Sequence, residues 1–256
     1  MTAKYTMNYF INISFVISLF FSSFVSAEEF DAVLSWSKRV ELSTPTSGVV
    51  QKVFAQPGSV AAKGEVLIQL DPRIFKADLK YAEAKVANSS EHFQEAKREL
   101  ERQADMYDRT MLSDHDLQLA KNNLTLARSQ YRQAQSSLAK AKVNLEYSAI
   151  RSPFNAVVIK APAVKGLVVA SVMNPPILVV VAEAHRMLAR FNLTSGKLMN
   201  IVINQGVKVT VAGKTYQGKV IATGLEPNKD NSYAVDVIFD NKKDVLRAGQ
   251  KAKVNL

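Results

Sequence analysis

The chain has 256 residues, 47% hydrophobic and 22% charged, which is enough for two or three small domains and too apolar for a disordered tail. Its formal charge is +10 and it contains no cysteine. That excludes disulfides, thiol catalysis, cysteine-based metal sites and a lipid-anchored N-terminal Cys.

Residues 1–27 carry a single charge, Lys4, then the apolar run 9–21 and the small residues Val25-Ser26-Ala27 ahead of a break. This layout predicts a cleaved signal peptide over 1–27. A retained membrane anchor is the alternative, although Asn12, Ser14 and Ser18 weaken the run. Cleavage removes Lys4 and leaves 33 − 1 basic side chains against 23 acidic ones, a charge of +9. Residues 28–46 read as a short N-terminal lead holding the lone Trp36.

Stretch 47–71 has Val49-Val50, Lys52 two residues on, then Gly58, and closes on a β-branched run. Stretch 154–183 repeats this with Val157-Val158, Lys160 and Gly166. Short strands with glycine-marked turns, occurring twice, predict two halves of one flattened β-domain.

Between the halves lies a helical segment, 72–153 including its return junction. Phe75, Leu79, Ala82, Val86, Ser89, Phe93, Ala96, Leu100, Gln103 and Tyr107 alternate at intervals of four and three, which is a heptad seam. A second seam runs Leu117, Ala120, Leu124, Ala127, Tyr131, Ala134, Leu138, Ala141 and Leu145. Two matched helices joined by a short turn predict an antiparallel coiled-coil hairpin. Asp71-Pro72 is expected to cap the first helix, and Ser113 with Asp116 to box the second, while Pro153 ends it. Alanine at every second seam position of the second helix predicts close backbone approach. The turn, 102–113, carries Met106, Tyr107, Met111 and Leu112. Tyr107 continues the seam; the others are apolar residues at the tip of a rod, where a partner site is expected.

Residues 184–256 contain five short alternating segments, 187–193, 206–212, 216–225, 233–241 and 250–256, with turn signals between them, and predict a small β-barrel. They carry 12 basic and 5 acidic side chains, against 13 and 11 in 72–146. Such a surface suits lipid phosphates or an acidic partner, or is simply solvated. It follows no helix or aromatic platform, so no nucleic acid is expected.

Catalytic chemistry is not visible. His92, His115 and His185 are scattered; Asp114-His115-Asp116 reads as acidic residues favouring a helix N-terminus rather than a metal site. No phosphate loop, nucleophile elbow or carboxylate pair occurs. No enzyme, cofactor or metal is expected.

The two halves resemble those of a biotinyl/lipoyl domain. With the hairpin and the junction Leu145, Ser148, Ile150, Ser152-Pro153-Phe154, the whole resembles the periplasmic adaptor subunits, the membrane fusion proteins of the HlyD/RND efflux family, in a short form. That family has Asp-Gly where this chain has Asn155-Ala156; Asn155 is expected to take the left-handed turn position. The end, 241–256, resembles the family's closing barrel strand, with Gln250 in place of Met. A modified carrier lysine is not expected, because the hairpin replaces the turn that would present it. A further membrane-proximal domain, built from both chain ends in larger members, is expected to be absent or rudimentary.

The resemblance implies an α+β chain that is elongated: a split lipoyl-like β-domain, an inserted hairpin, then a barrel. It implies a non-enzymatic adaptor bridging an inner-membrane RND-type transporter and a TolC-type outer-membrane channel in a tripartite efflux pump. The adaptor would be exported to the periplasm and assembled as a trimeric or hexameric ring. An adaptor of an ABC exporter or type I secretion system, or a spacer without channel docking, are the alternatives. Channel-docking members show Arg, then Leu four residues on, then Ser seven further. Arg102, Met106 and Ser113 stand at that spacing, and the resemblance implies that they dock the channel.

Overall fold

The structure, a computed structural model, describes residues 28–170, 175–241 and 244–256; the expected signal peptide at 1–27 lies outside them. The expected α+β class holds. The chain divides into two compact units, one of Trp36–Ala184 and one that joins the residues up to Ser35 with His185–Leu256.

The first unit holds the split β-domain. Strands β2 (Arg39–Leu42), β3 (Gly48–Val53), β4 (Val60–Ala61) and β5 (Val66–Leu70) precede the hairpin, and β6 (Ala149–Arg151), β7 (Ala156–Lys160), β8 (Val168–Val169) and β9 (Val179–Glu183) follow it. They form two four-stranded sheets, in the orders β2-β9-β7-β4 and β6-β5-β3-β8. Each half therefore lends its shortest strand to the other: β4 pairs with β7 and β8 with β3. The internal repeat becomes a physical near-symmetry. Gly58 N–H donates to Val158 O at 2.8 Å, and Gly166 N–H donates to Val50 O at 2.8 Å. Both glycines have positive φ, +87° and +88°, which explains why the repeat keeps glycine there. Val50, Leu67, Ile68, Leu70, Val158 and Val181 are among the side chains closing the core.

Asn155 does not take a left-handed conformation, and neither does Ala156. Its side chain does different work: Oδ1 accepts from Lys63 N–H at 3.0 Å, and its backbone O accepts from Ala184 N–H at 2.9 Å. The expectation of a strained turn is thus corrected, because asparagine here is a hydrogen-bond acceptor between segments.

Helices α1 (Arg73–Asp108) and α2 (Asp114–Tyr147) form the hairpin. Each would extend about 50 Å at 1.5 Å per residue. Every residue of both expected seams is buried or half-buried, and all four seam alanines of α2 are buried. Phe75 anchors α1 in the β-domain core, with Leu145 of α2 packed against it. Midway, Phe93 and Tyr131 stack at 5.8 Å between centroids, with the Arg128 guanidinium over the Phe93 ring. Helix α1 begins one residue later than expected, with Pro72 at the cap; Asp71 Oδ1 still accepts from Arg73 N–H at 3.1 Å. The Arg73 side chain and its backbone N–H hold the Asp71 carboxyl down at about 2.

The second unit is a closed barrel in the order β1-β10-β13-β12-β11-β14. All five expected strands are present, as β10 (Arg186–Leu193), β11 (Gly206–Val211), β12 (Lys214–Thr223), β13 (Tyr233–Asp240) and β14 (Lys251–Asn255); a short helix, α3 (Ser195–Leu198), follows β10. The sixth strand, β1 (Glu29–Trp36), comes from the stretch read as a lead. It pairs with β14 from Glu29↔Asn255 to Val33↔Lys251. The reading of 28–46 as a separate lead is therefore corrected: β1 belongs to the barrel and β2 to the β-domain. Phe30, Ala32 and Leu34 alternate inward, and an open β14 edge makes their burial possible. Replacing fully buried Leu34 by alanine should destabilise the barrel by about 2–5 kcal/mol. Urea unfolding should read this as a lower midpoint, which a mere lead would not give.

Candidate functional site

The tip of the hairpin is built by hydrogen bonds rather than by glycine. Thr110 N–H donates to Tyr107 O at 2.8 Å and Met111 N–H to Met106 O at 3.0 Å. These are the paired bonds of a Schellman helix ending, which needs a left-handed residue just beyond the cap. Thr110 fills that place with φ +58°. A β-branched residue there is strained, because its Cβ crowds the following carbonyl.

On the far side of the turn Ser113 caps α2. Its Oγ accepts from Asp116 N–H at 3.2 Å and donates to Asp116 Oδ2 at 2.6 Å. The expected box is present, with the acid returning to the serine hydroxyl instead of its backbone. Tyr107 Oη donates to Asp114 Oδ1 at 2.5 Å, joining the two helices across the turn. The Asp114 carboxylate beside it pushes the phenol above its ordinary value. Asp114 and Asp116 are thus both engaged in holding the turn.

The three expected docking residues occupy two places. Arg102 and Met106 lie one turn apart on α1, so their side chains share a face. Arg102 is exposed and Met106 half-buried. Ser113 starts α2 and connects to Met106 through the turn. Arg102 pairs with Glu99. The other oxygen of Glu99, Oε1, accepts from Gln103 Nε2 at 2.6 Å, so one carboxylate orients two side chains. Beyond them Met111 stands 70% exposed.

The seam residue Gln103 and residues off the seam form a groove beside the three expected docking residues. Glu99, Gln103, Leu112, Asp116, Leu119 and Asn123 line an open groove of about 240 Å³ between the helices. Gln103 Oε1 is buried with no hydrogen-bond partner among the described residues. Leu119 and Leu126 are 51% and 59% exposed. They lie seven residues apart on the flank of α2, and Leu112, seven residues before Leu119, lies in the turn ahead of that helix. That spacing is present in the sequence but lies off the seam.

Thr110→Gly removes the strain while keeping both turn bonds. It should stabilise the hairpin by about 1 kcal/mol, read as a raised thermal midpoint; a fall would mean that Thr110 makes contacts worth more than its strain.

Comparison with known proteins places this geometry. Residues 78–148 match the α-helical hairpin domain of RND membrane fusion proteins. The chain superposes on the membrane fusion protein Spr0693 from Streptococcus pneumoniae R6 with a TM-score of 0.69 at 16% identity, over 89% of this chain and 97% of that one. It superposes on a MacA-MexA chimera containing the Pseudomonas aeruginosa MexA α-hairpin domain at 0.68 and 23%, over 89% and 79%. For ZneB from Cupriavidus metallidurans the values are 0.51 and 23%, over 89% and 96%. No curated protein gives a significant match to the chain.

Proposed function

We propose that this chain, which has the fold of the membrane fusion proteins and carries their RND-type hairpin, is a periplasmic adaptor of a tripartite efflux pump. Exported through the signal at 1–27, it would join an inner-membrane RND-type transporter to a TolC-type outer-membrane channel. It does no chemistry on what passes. Its task is to span water between two membrane proteins and seal the path.

The observation that carries this reading is the tip. A hydrogen-bonded, strained turn holds Met106, Met111 and Leu112 beside Arg102 and Ser113 at the free end of a long coiled coil. Met106 and Leu112 are half-buried and Met111 is exposed, and a spacer without a partner has no use for an exposed apolar side chain there. In docking, Met106 would fill an apolar groove between channel helices, since a thioether adapts to an irregular surface. Arg102, already oriented by Glu99, would donate to channel carbonyls or carboxylates. Ser113 has its hydroxyl committed to the cap and offers its remaining lone pair.

The stripe of Leu119 and Leu126 supports a ring in which hairpins pack flank to flank. An adaptor for an ABC exporter or a type I secretion system would share this body, and co-purification of the transporter separates the cases.

A photo-cross-linker placed at Met106 in cells should capture an outer-membrane channel, and Arg102→Asp should abolish capture and efflux while stability stays within about 0.5 kcal/mol. An exported, folded protein that captures no channel overturns the docking. Leu126→Asp should leave the monomer folded and lower self-association in sedimentation or chemical cross-linking; unchanged self-association would remove the flank from the ring contact.

A further inference from the structure

One end of the barrel carries apolar side chains that its fold does not use. Met199, Val202 and Leu225 are 85%, 66% and 94% exposed, and Ile203 and Ile221 are also exposed. They do not hang from a slack loop. Asn204 N–H donates to Val220 O at 2.8 Å and Val220 N–H to Gln205 O at 3.0 Å, binding the segment after α3 to β12. Val202 N–H is held by Gln205 Oε1, and Gly224 N–H fixes the Leu225 turn on Ala234 O at 2.7 Å.

The strand registers place these residues together. Gly206, which follows the 199–205 segment, pairs with Lys219; Thr223, just before Leu225, pairs with Val235; Leu193 pairs with Tyr233. All lie at the end where β1 begins, since Glu29 pairs with Asn255 and Asn255 with Lys208. Exposed lysines surround the apolar group. Glu28 and Glu29 are answered by Lys197 and Lys253. That leaves Lys208, Lys219 and Lys229 against Glu226 and Asp230.

The chain ahead of the barrel enters at the same end. Leu256 N–H meets Glu28 O at 3.4 Å, and the apolar run 9–21 stops seven residues before Glu28. Seven residues span at most about 25 Å. During export, before the signal is cleaved, that run brings this end of the barrel within that distance of a bilayer.

We propose that this end of the barrel rests on an anionic lipid surface. Met199, Val202, Ile203 and Leu225 enter the interface between headgroups and acyl chains, and the lysines sit at phosphate level. The inference goes beyond the adaptor reading and does not depend on channel docking. It gives the barrel a membrane contact of its own.

The chain has no cysteine, so Met199→Cys, Leu225→Cys and Val245→Cys each accept one environment-sensitive fluorophore. Val245 is 85% exposed and follows β13, at the opposite end, so it is the control. The mature chain, from Glu28 on and without the apolar run, is mixed with phosphatidylcholine vesicles with and without phosphatidylglycerol. Labels at 199 and 225 should shift to the blue and be quenched by a lipid-borne quencher, more strongly with phosphatidylglycerol, while 245 stays in water. Lys208→Glu with Lys219→Glu should weaken the anionic preference by at least about fivefold per lysine. Folded protein whose labels at 199 and 225 are no more shielded than at 245 overturns the proposal. So does shielding that appears only when a transporter is added to the vesicles, which would make the occupant a protein. Because those vesicles hold no channel, neither result bears on the tip.

Discussion

The neck of the hairpin is the constraint on which the rest of its unit depends. Leu70 N–H donates to Ser148 O at 2.8 Å, Gln69 pairs with Ala149, and Gln69 Nε2 donates to the same Ser148 O at 3.1 Å. Thr44 Oγ1 adds a bond to Tyr147 O at 2.9 Å. The departing and returning chains are therefore locked side by side before either helix has completed a turn. Once that register is set, the two seams can only meet in phase, and the turn must fall where both run out. Closing so long an insertion costs little more than closing a short one, because loop entropy grows only logarithmically.

Both units are closed by chain that is remote in sequence. The β-domain exchanges β4 and β8 between halves separated by the hairpin, and the barrel is completed by β1 and β14 from opposite sides of everything else. Each exchange covers a strand edge that would otherwise be free to pair with another molecule. The arrangement makes long-range contacts obligatory, so folding is expected to be limited by these closures rather than by helix formation.

How much of this was legible follows from which signals are local. The heptads, the five barrel strands and the Ser113 cap are written in spacing that any short window contains. The lead was misread because β1 and β2 are separated only by Ser37-Lys38, and a two-residue gap hides that the strands serve different units. Asn155 was given a conformational role because a turn residue is read from its backbone preference, whereas its partner, Lys63, lies on the other side of the hairpin insertion. Of the candidate site, Arg102, Met106 and Ser113 come from the resemblance to channel-docking adaptors rather than from periodicity. Glu99 and Gln103 were not legible as part of it, since their role arises from one carboxylate facing two neighbours.

Thr110 was invisible for a different reason, and it bears most on function. Nothing between Gly64 and Gly166 is glycine, so the hairpin turns without the residue that turns most easily. A glycine at position 110 would relax the backbone but would also let the tip sample several conformations. Threonine accepts strain in return for fewer alternatives, and its Oγ1 donates to Arg109 O at 2.7 Å to hold the turn. Association is weakened by every degree of freedom that must be frozen on contact. A rigid turn that holds Met111 exposed beside the half-buried Met106 and Leu112 leaves less to freeze in any association the tip enters, and strain at Thr110 is the cost of that rigidity.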